Sequence, residues 1–500
     1  MAMSTHTETE RKYKVKATTQ LPPLDGISGV AQVSDPTGTS LEAVYYDTAD
    51  LRLLRHGATL RRRTGGADAG WHLKIPVEAD TRTELREPLD GEGGPPESLR
   101  DLALGMSRGA ALRPVARVAT ERVTRELLDR GGELLAEVTD DTVTATALTD
   151  PMRTREWREL EVELAEGAPP EVLDRAEKVL RRAGARRATS PSKVTRVLTP
   201  RPLTRVGASP APTAGDVVLG YLADQVSALV RHDIGVRRDT EDAVHQMRVA
   251  VRRLRSALRV FGRVVDRGRT ASLDDELRWL GRRLSPARDL EVQEQHLRAS
   301  VAAMPEELVL GPVAARLTRY FSPEAAAARK DVDRTLRSRR YRELLDALDD
   351  LLADPPLTPR ARRPADRELP RHVGRAYRKL ARRMETLPDG PGRDVALHGL
   401  RKAAKRFRYA AECVEPAVGR KARRARKAAK AFTQSLGEHQ DTVVARPLLR
   451  DLAVHAHQAR ENGFTFGMLH EQERRRGADA ERELPRRWSE LSRRGDLSQG

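Results

Sequence analysis

Short runs of alternating apolar and polar residues recur through the first 200 positions: 8–16, 43–47, 58–64, 70–75, 82–88, 117–129, 133–146 and 155–164. A period of two is the pattern of strands with one buried face. Gly-Gly, Asp-Gly and Pro-containing turns separate the runs. Over 170–184 the period changes, placing Val172, Ala176, Val179 and Leu180 on one side of a predicted helix. From about residue 215 helical periodicity dominates. Between the two regimes, 199–214 is rich in Pro, Ala and Ser, lacks any period, and reads as a linker. A second Pro/Arg-rich break at 353–370 divides the helical part into about 215–352 and 366–495.

The helical part contains a duplication. His245, Arg248, Arg252 and Arg255 recur 153 positions later as His398, Arg401, Lys405 and Arg408, with Arg253, Lys402 and Arg406 beside them. The spacing i, i+3, i+7, i+10 gathers each set on one helix face. Met247, Val251, Leu254, Leu258 and Phe261 fall on the opposite, core-facing side, as do Leu400, Ala404, Phe407 and Ala411 in the second copy. Leu284 to Val292 and Leu436 to Val444 follow at nearly matching offsets, so two related helical bundles are expected. Like charges at this spacing repel by a few tenths of a kcal/mol per pair. Two helices bearing the same stripe predict a strongly anionic partner.

Charge sharpens this division. The 500-residue chain carries net charge +18, yet residues 1–200 hold 30 Lys/Arg against 32 Asp/Glu, while 201–500 hold 61 against 41. The basic excess lies wholly in the helical part, where polyanion binding would be salt-sensitive. Cys413 is the single cysteine, which excludes an intramolecular disulfide and a thiolate cluster. With no signal-like apolar segment near Met1 and no 18-residue apolar run, we expect a cytoplasmic protein without membrane association. Arg outnumbering Lys, with abundant Ala, points to a high-GC bacterial coding sequence.

The strands carry charge in an order that a half-solvated sheet explains poorly. Glu8, Glu10 and Lys12 share one face of the first strand, and Glu159, Glu161 and Glu163 one face of the last. Between them lie Arg61 and Arg63, His72 and Lys74, Glu84 and Arg86, with Arg117, Arg122 and Lys193 as further cations. A closed antiparallel barrel lined with both signs accounts for the set: carboxylates hold a divalent cation and Arg/Lys bind the anion it bridges. Hard oxygen ligands suit Mg²⁺ or Mn²⁺, and several converging cations suit a chain of phosphates. The predicted fold class is an α+β multidomain chain: a closed antiparallel β-barrel with helices over 1–198, then an all-α domain of two pseudo-symmetric bundles over 215–495.

These residues bear a family resemblance. Glu8-Thr-Glu10-Arg-Lys12, Tyr45-Tyr46-Asp47-Thr48, Leu60 to Arg63, Trp71 to Lys74, Glu159-x-Glu161-x-Glu163 and Ser192-Lys193-x-x-Arg196 resemble the CYTH domain, the triphosphate tunnel metalloenzyme fold. The stretches His245 to Arg255, Arg288-Asp289, His398 to Arg408 and Gln440-Asp441 resemble the CHAD domain, a helical module that binds inorganic polyphosphate. Ser285, where the second copy has Gly437, is a departure that puts one turn in doubt.

The resemblance implies roles. Glu8, Glu10, Glu161 and Glu163 would coordinate Mg²⁺ or Mn²⁺ with Glu159 nearby, and together with Lys12 would form the catalytic set. Lys12, Arg61, Arg63, Lys74, Arg122 and Lys193 would grip the phosphates. Arg117, Glu84, Arg86, Glu137 and Asp141 are second-tier candidates. The duplicated stripe would bind polyphosphate, and association with polyphosphate granules is the corresponding expectation.

The leading expectation is therefore a metal-dependent triphosphatase acting on inorganic triphosphate or short polyphosphate, with a polyphosphate-docking module. Two alternatives stay open: a non-catalytic polyphosphate-binding protein, and a CYTH enzyme acting on an organic triphosphate. Nucleic acid is a disfavoured partner, because 215–495 is poor in aromatics for base stacking.

Overall fold

A computed structural model describes residues 3–77, 80–89, 93–188, 190, 192–200 and 211–497. The chain divides into two compact units, Met1–Pro202 and Leu203–Gly500. Much of the expected linker, 201–210, lies outside the described residues.

The first unit contains β1 (Ser4–Lys14), β2 (Gln32–Val33), β3 (Thr37–Asp47), β4 (Thr59–Thr64), β5 (Gly70–Pro76), β6 (Thr81–Glu87), β7 (Arg113–Leu128), β8 (Leu134–Ala147), β9 (Arg153–Leu164) and β10 (Arg186–Arg187). Eight of these form a closed ring of antiparallel neighbours, β1-β6-β5-β4-β3-β7-β8-β9 and back to β1. Closure is achieved within β1 itself: Ser4 to Thr9 pair with β6, and Glu10 to Lys14 pair with β9. Four helices accompany the barrel: α1 (Arg52–Arg55), α2 (Glu97–Leu102), α3 (Leu104–Ser107) and α4 (Glu171–Arg182).

Strand alternation turns the polar faces into the lumen, so much of the apolar core lies outside the wall. Tyr13, Leu160 and Val162 on the outer faces pack against Val172, Leu173, Ala176 and Leu180 of α4. Leu180 is fully buried there, and truncating it to Ala would cost about 2–5 kcal/mol.

β3 begins at Thr37, six residues before the expected run at 43–47. Thr37 to Glu42 lack apolar alternation, and their register against Thr124 to Ala119 of β7 makes them a strand. Pairing overrides local pattern here.

The second unit is helical: α5 (Ala214–Arg237), α6 (Ala243–Val260), α7 (Ala271–Ala302), α8 (Val313–Arg337), α9 (Arg339–Ala353), α10 (Ala365–Glu385), α11 (Arg393–Cys413), α12 (Glu415–Val418), α13 (Arg420–Gln458) and α14 (Phe464–Gly495). Thr213 and Asp216 form a reciprocal capping box that starts α5. Only 354–364 of the Pro/Arg-rich break separate α9 from α10; residues 365–370 form the start of α10, with Pro370 inside the helix. Met247, Val251, Leu254 and Leu258 on α6 are buried, as are Leu400, Ala404, Phe407 and Ala411 on α11. Ser285 and Gly437 lie inside the long helices α7 and α13. The expectation of a turn there is therefore corrected. Pro286 is accommodated within α7, and the Ser285 hydroxyl donates to the Gly281 carbonyl at 2.8 Å, a bond compatible with an unbroken helix.

Candidate functional site

The barrel encloses a cavity of about 460 Å³ lined by side chains of both signs. Alternate residues of each strand reach it: Glu8, Glu10 and Lys12 from β1, Arg61 and Arg63 from β4, and Lys74 from β5. Arg122 of β7, Glu137 of β8, Glu161 and Glu163 of β9, and Lys193 complete most of the expected set. One correction follows from the same alternation. Arg117 is exposed on the outer face of β7, out of phase with inward-facing Val118, Thr120 and Arg122.

Around the seam, cations are shared among several carboxylates. Lys12 Nζ lies 2.7 Å from Glu10 and also pairs with Glu161. Arg122 binds Asp141 through two nitrogens, at 2.8 and 2.7 Å, and reaches Glu161 at 2.9 Å. Lys193 Nζ stands 2.7 Å from Glu161, 2.8 Å from Asp141 and 3.0 Å from Glu159. Burial alone would raise the Glu161 pKa, but Lys12, Lys193 and Arg122 outweigh it and hold the group well below its ordinary value. Oxygens of Asp141, Glu159 and Glu161 lie within 4.8 Å of one another, in the spacing of a metal cluster. The Lys193 ammonium already supplies the cation these three share.

A second neighbourhood centres on Glu84, which is fully buried. It accepts from His72 Nδ1 at 2.7 Å, with Lys74 at 3.4 Å, Arg61 at 3.5 Å and Arg86 also paired to it. The other ring nitrogen, Nε2, lies 2.8 Å from the Asp68 carbonyl oxygen, and burial lowers the His72 pKa although Glu84 opposes it. His72 thus has a partner on each ring nitrogen and supports the wall. Glu8 pairs with Lys74 at 2.6 Å, and Glu10 with Arg82 at 2.6 Å.

Glu163 differs from these. Burial, with the nearby Glu8 carboxylate, pushes its pKa up to about 7 against the pull of Lys74, and Glu10 adds to the rise. Glu8 is likewise raised, first by burial. Burial would raise the Glu10 pKa too, but Lys12, Lys74 and Arg82 outweigh it and lower the group overall. Glu8, Glu10 and Glu163 all line the cavity, and as hard-oxygen donors they fit a divalent cation. Glu159 fits less well: Lys193, Arg196 at 3.0 Å and the Trp157 indole at 2.8 Å already engage it.

Two charged lining residues escaped sequence reasoning, Arg82 and Asp68, and Tyr45, part of a family-like stretch, carried no expected role at the site. Arg82 shares the inward face of β6 with Glu84 and Arg86, so alternation alone would have found it. Asp68 sits in the β4–β5 turn and pairs with Arg63, a contact no periodicity reveals. Burial would raise the Tyr45 pKa, but Arg61 and Lys193 lower it overall. The adjoining Asp47 is structural, accepting from the backbone N–H groups of Thr48, Leu53 and Leu54 at 2.7, 2.9 and 2.9 Å.

In the helical unit, α6 and α11 bring part of the two stripes together. Lys405 is surrounded by Arg401, Arg252, Arg408 and Arg248, and burial with this crowding lowers its pKa to about 6. Arg248 reaches Asp289 at 3.0 Å, and His398 Nδ1 meets Gln440 Oε1 at 2.6 Å. His245 is half-buried, its pKa lowered by burial and by nearby Arg288. Lys402 is exposed.

The stripe is not uniform. Arg255 pairs with Asp274 of α7 at 3.1 Å, alongside Arg259 at 2.6 Å, and Arg406 lies near Arg259, Arg383 and Arg255. Arg255 stands about 80° round the helix from His245, at the stripe's edge, where α7 captures it. Arg253 pairs with Glu412 at 2.8 Å and lies over the Tyr409 ring. Among the described residues, no helix is long and apolar enough to cross a membrane.

Comparison with known proteins fits this architecture. Residues 6–198 match the CYTH domain model and residues 220–450 the CHAD domain model. The uncharacterized protein Rv2226 of Mycobacterium tuberculosis strain H37Rv is 40% identical over 488 residues, spanning 94% of this chain and 93% of that protein. Among solved structures, PptA from Streptomyces chartreusis is 22% identical with a TM-score of 0.47, covering 56% of this chain and 100% of that one. The CHAD domain from the plant Ricinus communis is 25% identical with a TM-score of 0.42, covering 60% of this chain and 96% of that one. The chain belongs to the family of proteins that join a CYTH domain to a CHAD domain.

Proposed function

We propose that the barrel hydrolyses a phosphoanhydride bond of inorganic triphosphate or short polyphosphate with Mg²⁺ or Mn²⁺, and that the helical unit binds inorganic polyphosphate. The observation that carries this reading is the cavity itself: Arg61, Arg63, Lys74, Arg82, Arg86 and Arg122 line the same enclosed space as Glu8, Glu10 and Glu163. Six cations facing three carboxylates in one space suit a substrate that is both polyanionic and metal-bridged.

Glu8, Glu10 and Glu163 would hold the metal, which supplies charge neutralisation on the phosphate oxygens. Arg61, Arg63, Lys74 and Arg122 bind the phosphates and stabilise charge that redistributes as the bond breaks. Lys12, Lys193 and Arg122 keep Glu161 ionised at the seam, so Glu161 accepts hydrogen bonds and holds those cations in place. Docking by the helical unit rests on Arg248, Arg252, Arg401, Lys405 and Arg408, with His245 and His398 at the margin.

The test is phosphate release by the full chain from triphosphate, pyrophosphate, ATP and long polyphosphate at matched Mg²⁺ or Mn²⁺. The proposal expects triphosphate to be turned over fastest. Turnover confined to ATP would favour an organic triphosphate as substrate, and no turnover on any of the four would favour a binding protein.

A further inference from the structure

The barrel has a second mouth with its own chemistry. Along the inner face of β9, Glu161 and Glu159 are followed by Trp157, Arg155 and Arg153, and on β1 Lys14 follows Lys12. The single 3-10 turn Lys193–Arg196 closes the lumen between the two ends. Val194 and Val197 pack with Val143 and Ala145 of the inner wall, and Thr195 lines the cavity on either side of the turn.

Beyond this plug lies a separate cavity of about 310 Å³. Lys14, Arg153, Arg155 and Arg196 line it, with the hydroxyl-bearing Ser190, Thr195 and Thr199, and no carboxylate is among the described lining residues. A solvated rim of arginines is the ordinary alternative. It does not explain why four cations and three hydroxyls gather round one hollow with no acid among the described lining residues. Arg196 joins the two compartments: its guanidinium lies 4.7 Å over the Trp157 ring and 3.0 Å from Glu159, the carboxylate that Lys193 also holds. Burial lowers the Arg196 pKa although Glu159 and Glu161 oppose it, so its charge is incompletely offset.

We propose that this far mouth is a second phosphate-binding site, separate from the tunnel cavity, which takes a tetrahedral oxyanion: free orthophosphate or the terminal group of a phosphate chain. Arg153 and Arg155 supply the charge, and Ser190 and Thr199 the neutral donors. An anion there competes with Glu159 for Arg196, and so is felt in the carboxylate cluster on the other side of the plug. The site does not depend on hydrolysis in the tunnel.

Trp157 provides a local reporter, because it contacts both Arg196 and Glu159. The full-length protein is titrated with orthophosphate, triphosphate and long polyphosphate while tryptophan emission is followed, with Trp157→Phe identifying the contribution of that residue. We expect a saturable change carried by Trp157. In Arg153→Gln/Arg155→Gln its midpoint should shift by roughly tenfold or more; in Arg61→Ala, which weakens the tunnel, it should stay where it was. Both arginines are exposed, and a thermal melt confirms that the double variant folds. A response to orthophosphate alone identifies the free anion, and a response only to the chains identifies a terminal group. The proposal is overturned if no Trp157 response occurs with any of the three. It is equally overturned if the response survives the double variant or is abolished by Arg61→Ala.

Discussion

Lys12 on β1 and Glu161 on β9 are direct register partners at the seam that closes the barrel, 149 residues apart in sequence, and their side chains form an ion pair. The two are not equivalent in their surroundings. Glu161 is shared by Lys12, Lys193 and Arg122, so removing it leaves three buried cations without their common anion. Lys12→Met leaves Glu161 with two cations still in place. Breaking a buried pair costs about 3–5 kcal/mol. Glu161→Gln should lie at or above that range and Lys12→Met below it. Urea unfolding of the two variants checks the order, and equal losses would contradict the sharing.

Glu163 should make the metal-free barrel pH-sensitive. Its pKa rises from the ordinary 4.5 to about 7 in the folded chain, so between those values the folded state keeps a proton that the unfolded state releases. The sign follows: this group's contribution is fully present below about 4.5 and is lost as pH rises through 7. Glu163→Gln should therefore raise the melting temperature of the metal-free protein at pH 8 and leave it nearly unchanged at pH 4.5. A melting temperature lowered at pH 8 would contradict this assignment.

Lys405 predicts a proton taken up on binding. Its pKa of about 6, depressed by burial and the surrounding arginines, leaves it largely neutral at pH 8. The depressed value also means that its contribution to stability, present above the ordinary 10.5, is lost as pH falls through about 6. A polyanion reverses the local potential and favours the ammonium form. Calorimetry of polyphosphate binding at pH 8, in buffers of different ionisation enthalpy, should show net proton uptake. Uptake should vanish in Lys405→Gln, and uptake unchanged by that substitution would place the titrating group elsewhere.

The division of the stripe gives a graded result. Arg252→Gln with Arg408→Gln should weaken polyphosphate binding by orders of magnitude, since charged contacts contribute about 1.5–3 kcal/mol each. It should also flatten the salt dependence. Arg255→Gln with Arg406→Gln should matter less, because Arg255 is already paired with Asp274. Equal effects from both pairs would restore one continuous basic surface.

Much of this was legible in the sequence, because alternation and helical period report directly on which face a side chain occupies. Strand periodicity placed Glu8, Glu10, Arg61, Arg63 and Lys74 on inner faces, and all line the cavity. It also placed Met247 and Phe407 in cores, and both are fully buried. Arg117 went astray because a lone cation within a long strand carries no sign of phase, and its neighbours decide that it faces out. Partners distant in sequence were invisible: Arg122 with Asp141, Lys193 among three carboxylates, and Arg255 with Asp274. These contacts depend on register and helix packing, which no local pattern encodes. The low pKa of Lys405 was hidden for the same reason, since the crowding comes from two helices.

The central claim is that the acidic and basic walls of the tunnel act together on a metal-bridged phosphate chain. Its most direct measurement is orthophosphate release from triphosphate by the full chain, titrated with Mn²⁺ or Mg²⁺, beside Glu10→Gln. The account predicts metal-dependent turnover that falls in Glu10→Gln by at least the ~10–100-fold typical of disturbing a metal's supporting shell, with the metal midpoint moved upward. Turnover that needs no metal, or that Glu10→Gln leaves unchanged, would contradict it.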